Sequence, residues 1–236
     1  MKHTQKPHCV DLLREQSKLN STRPFVARGA NVKRCPHCLM ADIACFCHHK
    51  TQQLSPINFI LLFHRDEIHK PTNSGRLIAD LFPQNTKAFL WSRTAPPAEL
   101  LDTLASQKGH CTLLYPSTET ARSQHRQQRQ NLPETSNESH AHTFIILDGT
   151  WKQASKMFHQ SDWLKHIPHY ELSSEAQRSF LVRHAQHDMQ FATAEVTALL
   201  LDALGHTSHS KALLTLYQTF NQHCLMSRKR GNRRTV

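Results

Sequence analysis

Four cysteines fall within thirteen positions: Cys35-Pro-His-Cys38, six intervening residues, then Cys45-Phe-Cys47. Thiolates are soft ligands, and two close pairs on a short loop supply the four that tetrahedral zinc prefers. With every position filled by protein, such a centre is structural and not catalytic. His37, His48 and His49 stand beside it as alternative ligands, while free buried thiols or a redox pair are the competing readings. Cys9, Cys111 and Cys224 are isolated and read as packing residues.

A second set of reactive types lies further along. The run His142-Thr-Phe-Ile-Ile-Leu147 leads straight into Asp148-Gly149-Thr150-Trp151. A carboxylate directly after a strand either caps the following helix or does chemistry, and alone it reads more readily as the cap. Trp151 alone reads as core. Thr72-Asn73-Ser74-Gly75 opens a helix over 76–82, with Thr72 or Asn73 as its cap. Amides at such a helix start can also hold an anion. His64, Glu67 and Lys70 occupy the loop before it.

These residues need a frame. Apolar runs of strand length occupy 57–64, 87–91, 111–115, 142–147 and 169–172. Helical stretches occupy 76–82, 98–107, 152–159, 193–204 and 210–228. Strands alternating with helices predict an α/β fold, a mainly parallel sheet with helices on both faces. Ligands then sit beyond the C-terminal strand ends, which selects the loops after His64, at 115–117 and at 148–151. Residues 1–34 are polar, with a weak helix over 10–19, and are expected to be loosely structured. The expected organisation is a basic segment 1–50 carrying the cysteine knuckle 35–47, a catalytic body 51–227 with a polar insert 117–141, and a basic tail 228–236.

Composition narrows the function. The 236 residues contain six glycines, at 29, 75, 109, 149, 205 and 231. Nucleotide-cradling turns need clustered glycines, so a P-loop and a dinucleotide-binding turn are excluded. The net charge is +11, concentrated at the ends: residues 1–50 carry +6, residues 228–236 carry +5 and the middle is neutral. Basic ends on a neutral body suit a polyanion, most often nucleic acid, and Arg228 and Arg230 are candidate contacts. A merely solubilising tail is the alternative. No apolar run approaches the roughly 18 residues of a membrane span, and the first ten residues lack a signal-peptide core. The expected setting is cytoplasmic. No signal fixes the oligomeric state, and a monomer is the working expectation.

The segment Asp148-Gly-Thr-Trp-Lys-Gln-Ala154 closely resembles the signature of the DTW-domain family, the tRNA-uridine aminocarboxypropyltransferases. Further segments fit it in order: the knuckle 34–47, His64-Arg-Asp-Glu-Ile-His-Lys-Pro-Thr-Asn-Ser-Gly-Arg-Leu77, Leu113-Leu-Tyr-Pro-Ser117, and Gln190-Phe-Ala-Thr-Ala-Glu195. The match spans about residues 31–225. Ser74 and Ala192 depart from the expected Thr and Ser.

The resemblance implies a knotted SPOUT-like fold that binds S-adenosylmethionine in a backbone-lined pocket, in keeping with the sparse glycines. It implies transfer of the 3-amino-3-carboxypropyl group to N3 of a tRNA uridine, expected at position 47 in the variable loop, with methylthioadenosine released. Asp148 is the candidate general base, with Thr150 and Trp151 beside it in the motif. Leu114, Tyr115, Pro116 and Ser117 would line the cofactor with Gly149, Phe191, Ala192 and Thr193, Trp151 packing beneath. His64, Glu67, Lys70, Thr72, Asn73, Ser74, Arg76 and Lys152 are candidates for the substrate side. Arg76, Lys70 or Lys152 would steady a developing uridine anion, and Glu67 would hold the ligand's ammonium. Two rivals are a methyltransferase of the same architecture and a non-enzymatic zinc-knuckle RNA-binding protein.

Overall fold

Phe59, Leu61 and Phe63 turn to one side of β1 (Asn58–Phe63), Ile60 and Leu62 turn to the other, and all five are buried. A strand buried on both faces belongs inside a parallel sheet. The computed structural model describes residues 6–21, 32–114, 141–170, 172 and 191–231, without the side chains of 229–231. Beside β1 stand β2 (Thr86–Leu90), β3 (Cys111–Leu114), β4 (Thr143–Asp148) and the short β5 (His169–Tyr170). Their order is β2-β1-β4-β3-β5, and every neighbouring pair is parallel.

Two cores follow from the strand alternation. One joins Phe59, Leu61, Phe63, Phe144 and Ile146 to helices α2 (Arg76–Leu81), α6 (Thr193–Ala203) and α7 (Thr207–Gly231). The other joins Ile60, Leu62, Leu113, Ile145 and Leu147 to α3 (Ala98–Ser106), α4 (Trp151–His159) and the one-turn α5 (Asp162–Lys165). The expected α/β sheet covered on both faces is present, and the elements lie within a few residues of their predicted bounds.

The order of the strands creates the site. β1 is followed by β2 on one side, whereas the chain leaving β4 passes β3 to reach β5 on the other. Connections diverge from the adjacent C-terminal ends of β1 and β4, which is where doubly wound sheets leave a crevice. Phe63 is paired with Asp148 there, so His64 and Asp148 emerge side by side.

The N-terminal segment differs from expectation. Helix α1 (Cys9–Leu19) is docked against the body, and Val10, Asp11, Arg14 and Ser17 are buried. Polar contacts help to hold it: His8 Nε2 lies 2.8 Å from Asp80 Oδ1, the Arg76 guanidinium lies 3.7 Å from Asp11 Oδ1, and Arg14 Nη2, paired with Asp11 inside the helix at 2.8 Å, donates to Pro36 O at 3.1 Å. Lys50 Nζ reaches the same Asp80 oxygen at 2.6 Å. Asp80 is fully buried; burial raises its pKa, yet Arg76, Lys50 and His8 outweigh that and hold it well below the usual range. A polar sequence is thus tied down by polar contacts together with Val10, Cys9 and Leu13, which pack on the core. At the other end, α7 carries the start of the basic tail as helix to Gly231, and residues 232–236 lie outside the described residues. So does nearly all of the polar insert.

Candidate active site

Asp148 ends β4 with its carboxylate 2% exposed. Its backbone carbonyl accepts from the His64 amide at 2.8 Å, and Oδ1 accepts from Asn73 Nδ2 at 2.5 Å. Asn73 is orientated by its own oxygen, which accepts from the Arg76 amide at 3.1 Å. Asn73, and not Thr72, therefore supplies the turn that starts α2. The first amides of that helix are taken within the chain, that of Arg76 by Asn73 Oδ1, that of Leu77 by Ser74 O and that of Ile78 by Gly75 O.

Oδ2 of Asp148 accepts no hydrogen bond of good geometry among the described residues and lies against Gly75. A β-carbon on Gly75 would overlap Oδ2 and stand 2.7 Å from Cγ, so the close approach requires glycine there. Burial pushes the Asp148 carboxyl up to about 7; Asn73, Thr193 and the Gly75 amide pull the other way, and the charge of Glu67 adds to the rise. A buried carboxylate with a pKa near neutrality has the protonation balance a general base needs, and its Oδ2 is enclosed against Gly75.

Thr150 settles what Asp148 is not. Thr150 caps α4: its hydroxyl accepts from the Gln153 amide at 3.3 Å, and Gln153 Oε1 accepts from the Thr150 amide at 2.8 Å. With this reciprocal box in place, Asp148 is not needed as a cap. Gln153 continues inward, its Nε2 donating to His64 Nδ1 at 3.1 Å. Gly149 permits this packing, because a β-carbon would meet Gln153 Cβ at 3.0 Å and His64 Cβ at 3.5 Å. The His64 ring stacks on Trp91 with centroids 6.0 Å apart, and Trp91 is pinned by Nε1 donating to buried Ser161 at 2.7 Å.

The remaining predicted residues separate into groups. Glu67 is buried and accepts from Lys70 Nζ at 2.6 Å, close enough to act on Asp148 electrostatically. Ser74 is half-buried and Thr72 exposed. Thr193 reaches Asp148 from the start of α6, with half-buried Phe191 and Ala192 before it. Glu195 Oε2 accepts from the Ala192 amide at 2.8 Å, half of a capping box that a Ser at 192 would complete. Leu114 is buried at the end of β3, opposite Ile146. Tyr115, Pro116 and Ser117 lie outside the described residues.

Trp151 is 41% exposed at the start of α4, beside exposed Lys152. Arg228 is exposed on α7, and the Arg230 side chain lies outside the described residues. Arg76 is not a free cation. It is 2% exposed; its Nη2 donates to His37 O and lies 3.7 Å from Asp11 Oδ1, and its Nε is 3.5 Å from Asp80 Oδ2. Gln153, Trp91 and Ser161 received no role from the sequence. Only Gln153 carried a local signal, the Thr-x-x-Gln spacing of a capping box.

The cysteines converge. Cys35 Sγ is 3.7 Å from Cys47 Sγ, Cys38 Sγ is 3.7 Å from Cys45 Sγ, and all four sulfurs lie within 4.8 Å of one another. Zn–S bonds of about 2.3 Å in a tetrahedron place sulfurs roughly 3.8 Å apart, so the set fits that ion. The Cys47 contact first, then the Phe46 and Met40 amides, bring the Cys38 thiol down to about 4 despite its burial. The isolated thiols behave oppositely: burial pushes Cys9 up to about 12 and Cys111 and Cys224 up to about 11. They stay protonated, as packing residues do.

Known proteins resemble the chain at the level of the family. A relative from Macaca fascicularis named tRNA-uridine aminocarboxypropyltransferase 2 is 23% identical over 185 residues, covering 76% of this chain. The chain spans 59% of that relative's length. No solved structure matches. The DTW domain profile matches residues 32–225, which take in the cysteine centre, the loop from His64 to Gly75, Asp148 and both C-terminal helices, and the chain belongs to the DTW domain family.

Proposed function

We propose that the protein modifies tRNA by transferring the 3-amino-3-carboxypropyl group of S-adenosylmethionine to N3 of a uridine, at position 47 of the variable loop, and releasing methylthioadenosine. The observation that carries this reading is Asp148, a buried carboxylate at the switch point of the sheet with one oxygen that takes no hydrogen bond of good geometry among the described residues and a pKa of about 7. Family membership and the relative's name supply the substrate class.

The chemistry assigned to the chain is limited and specific. Uridine N3 is a poor nucleophile until it loses its proton, which Asp148 Oδ2 accepts. Asn73 holds Oδ1, so the accepting oxygen keeps one direction. The sulfonium supplies an electrophilic carbon and a neutral leaving group. Selection among its three carbons then rests on positioning, for which Gly149, Leu114, Phe191, Ala192 and Thr193 are the described wall residues. Tyr115, Pro116 and Ser117 complete that wall in this reading, over a knotted, SPOUT-like chain path. Glu67 and Lys70 form the polar edge, and exposed Trp151, Lys152 and Arg228, together with Arg230, belong to the tRNA side in a cytoplasmic protein.

Cys35, Cys38, Cys45 and Cys47 would hold zinc, which serves the fold of the knuckle and takes no part in the reaction. The test is a pair of reactions with undermodified bulk tRNA, one with label in the carboxyl group of S-adenosylmethionine and one with label in its methyl. Carboxyl label alone in the tRNA is expected. Methyl label would make the protein a methyltransferase, and tRNA binding without either label would make it an RNA-binding protein.

A further inference from the structure

Helix α1 lies before the family domain, which begins at residue 32, yet it grips the loop that approaches Asp148. From His64 to Asn73 that loop is a run of tight turns: the Glu67 amide donates to His64 O at 2.9 Å, the Lys70 amide to Glu67 O at 3.0 Å and the Asn73 amide to Lys70 O at 3.1 Å. Bonds of this kind fix the local shape of a loop and not its distance from β4. Helix α1 attaches to the chain on either side of Asn73 and Gly75. On one side, Ser17 Oγ lies 3.1 Å from His69 Nε2. On the other, Asp11 Oδ1 lies 3.7 Å from Arg76 Nη2, and His8, just before the helix, lies 2.8 Å from Asp80, whose second oxygen is 3.5 Å from Arg76 Nε. Asp11 is itself held by Arg14 at 2.8 Å. Asp11, Ser17, Arg76 and Asp80 are all buried, so salt and water screen these contacts little.

Between the two attachments stand the residues that touch the carboxylate. Asn73 Nδ2 donates to Asp148 Oδ1 at 2.5 Å, Asn73 Oδ1 accepts from the Arg76 amide at 3.1 Å, and Gly75 lies against Oδ2. Helix α1, the loop, α2 and the start of α6 also share one core through Val10, Ile68, Leu77 and Ala194. We propose that α1 is a brace for the Asp148 site, in which Asp11 and Ser17 are positioning residues: by clamping Arg76 and His69 they hold the Asn73 amide on the carboxylate. Neither residue touches the reacting atoms. The brace rests on geometry alone, while the reaction it serves rests on the transferase reading. Burial raises the pKa of Asp148, and Asn73 opposes this most, ahead of Thr193 and the Gly75 amide; the charge of Glu67, which pairs with Lys70, adds to the rise. A slackened loop that withdraws Asn73 therefore leaves a carboxyl that titrates at higher pH.

The test uses two variants of the full chain: Asp11→Asn, which keeps the shape and removes the charge, and Ser17→Ala, which removes one hydroxyl. In the 15N–1H spectrum the side-chain amide of Asn73, assigned by its loss in Asn73→Ser, is expected to give a displaced proton signal in the wild type. That signal should follow the titration of Asp148 near pH 7 and move toward the position of a free amide in both variants. In the carboxyl-label assay, Asp11→Asn is expected to lower kcat on the order of tenfold and Ser17→Ala about fivefold, with KM little changed, because small misplacements of a positioned group slow a reaction. The acidic limb of the kcat profile should move to higher pH in both, and Ser17→Thr, which keeps the hydroxyl, should restore the wild-type profile. Variants within twofold of the wild type overturn the brace. A lowered kcat with the wild-type midpoint and the Asn73 signal in place also overturns it, since α1 would then serve stability alone. If Asp11→Asn does not fold, Ser17→Ala decides by the same readings. A wild type that places no label in tRNA overturns the transferase reading, and the Asn73 signal then decides the brace by itself.

Discussion

Gly75 is cut to the shape of Asp148: any side chain there would overlap Oδ2, the oxygen that Asn73 does not bond. The glycine sits at the start of α2, whose residues Arg76 to Leu81 are all buried, so the backbone has no room to retreat. Gly75→Ala is expected to destabilise by about 1–3 kcal/mol and to lower kcat at least 100-fold. In an Asp148→Ala background the overlap vanishes, and the same substitution should cost far less. A double-mutant cycle by chemical denaturation measures the difference; additive costs would mean that the glycine serves the backbone alone.

The carboxyl of Asp148, at about 7, sets the direction of two pH effects. As a base it works ionised, so kcat should climb as pH rises through about 7 and level off above it. Stability moves the other way. Between the unfolded carboxyl value near 4 and the folded value near 7 the native state binds more protons, so stability falls as pH rises through that window. Asp148→Asn should therefore be inactive, more heat-stable than the wild type near pH 8, and about equal to it near pH 4. A wild-type Tm unaffected by this substitution at both pH values would show that the charge is not buried.

Asp80 stands between Lys50, His8 and Arg76 with almost no exposure. Removing it leaves cations buried without a partner, and Asp80→Ala is expected to cost about 3–5 kcal/mol. Urea denaturation reads this directly, and a cost under about 1 kcal/mol would mean that water enters the cluster.

One zinc per chain is expected by elemental analysis of purified protein. Stripping it with a chelator, or Cys38→Ser, should lower Tm by roughly 10 °C. Restored metal should return the chelated protein, and not the variant, to its original Tm.

The sheet was legible because β1 and β4 are apolar runs of the right length, closed by polar residues that mark their ends. The four cysteines were legible because their ligand spacing is local. Asp148 could be located but not characterised, since its pKa depends on burial and on Asn73, 75 positions away. Arg76 shows the opposite problem. Its place before an apolar helix suggests a cation for a substrate, whereas its partners, His37 and Asp11, come from distant segments and enclose it. Helix α1 was legible as a weak helix over 10–19, but its docking was not, because its polar contacts, His8 to Asp80 and Arg14 to Pro36, join remote residues. The Gln153–His64 bond spans 89 positions and was visible only as half of a capping signature.

Arg76 has one further consequence. Its guanidinium holds the carbonyl of His37, inside the Cys35–Cys38 turn, while its amide holds Asn73, which in turn holds Asp148. The cysteine loop and the Asp148 carboxylate are thus joined by an unbroken run of bonded groups through a buried helix start. Coupling of this kind is reciprocal. To whatever degree a filled cysteine centre favours binding of a substrate that orders the carboxylate, that substrate must tighten the binding of the metal by the same free energy.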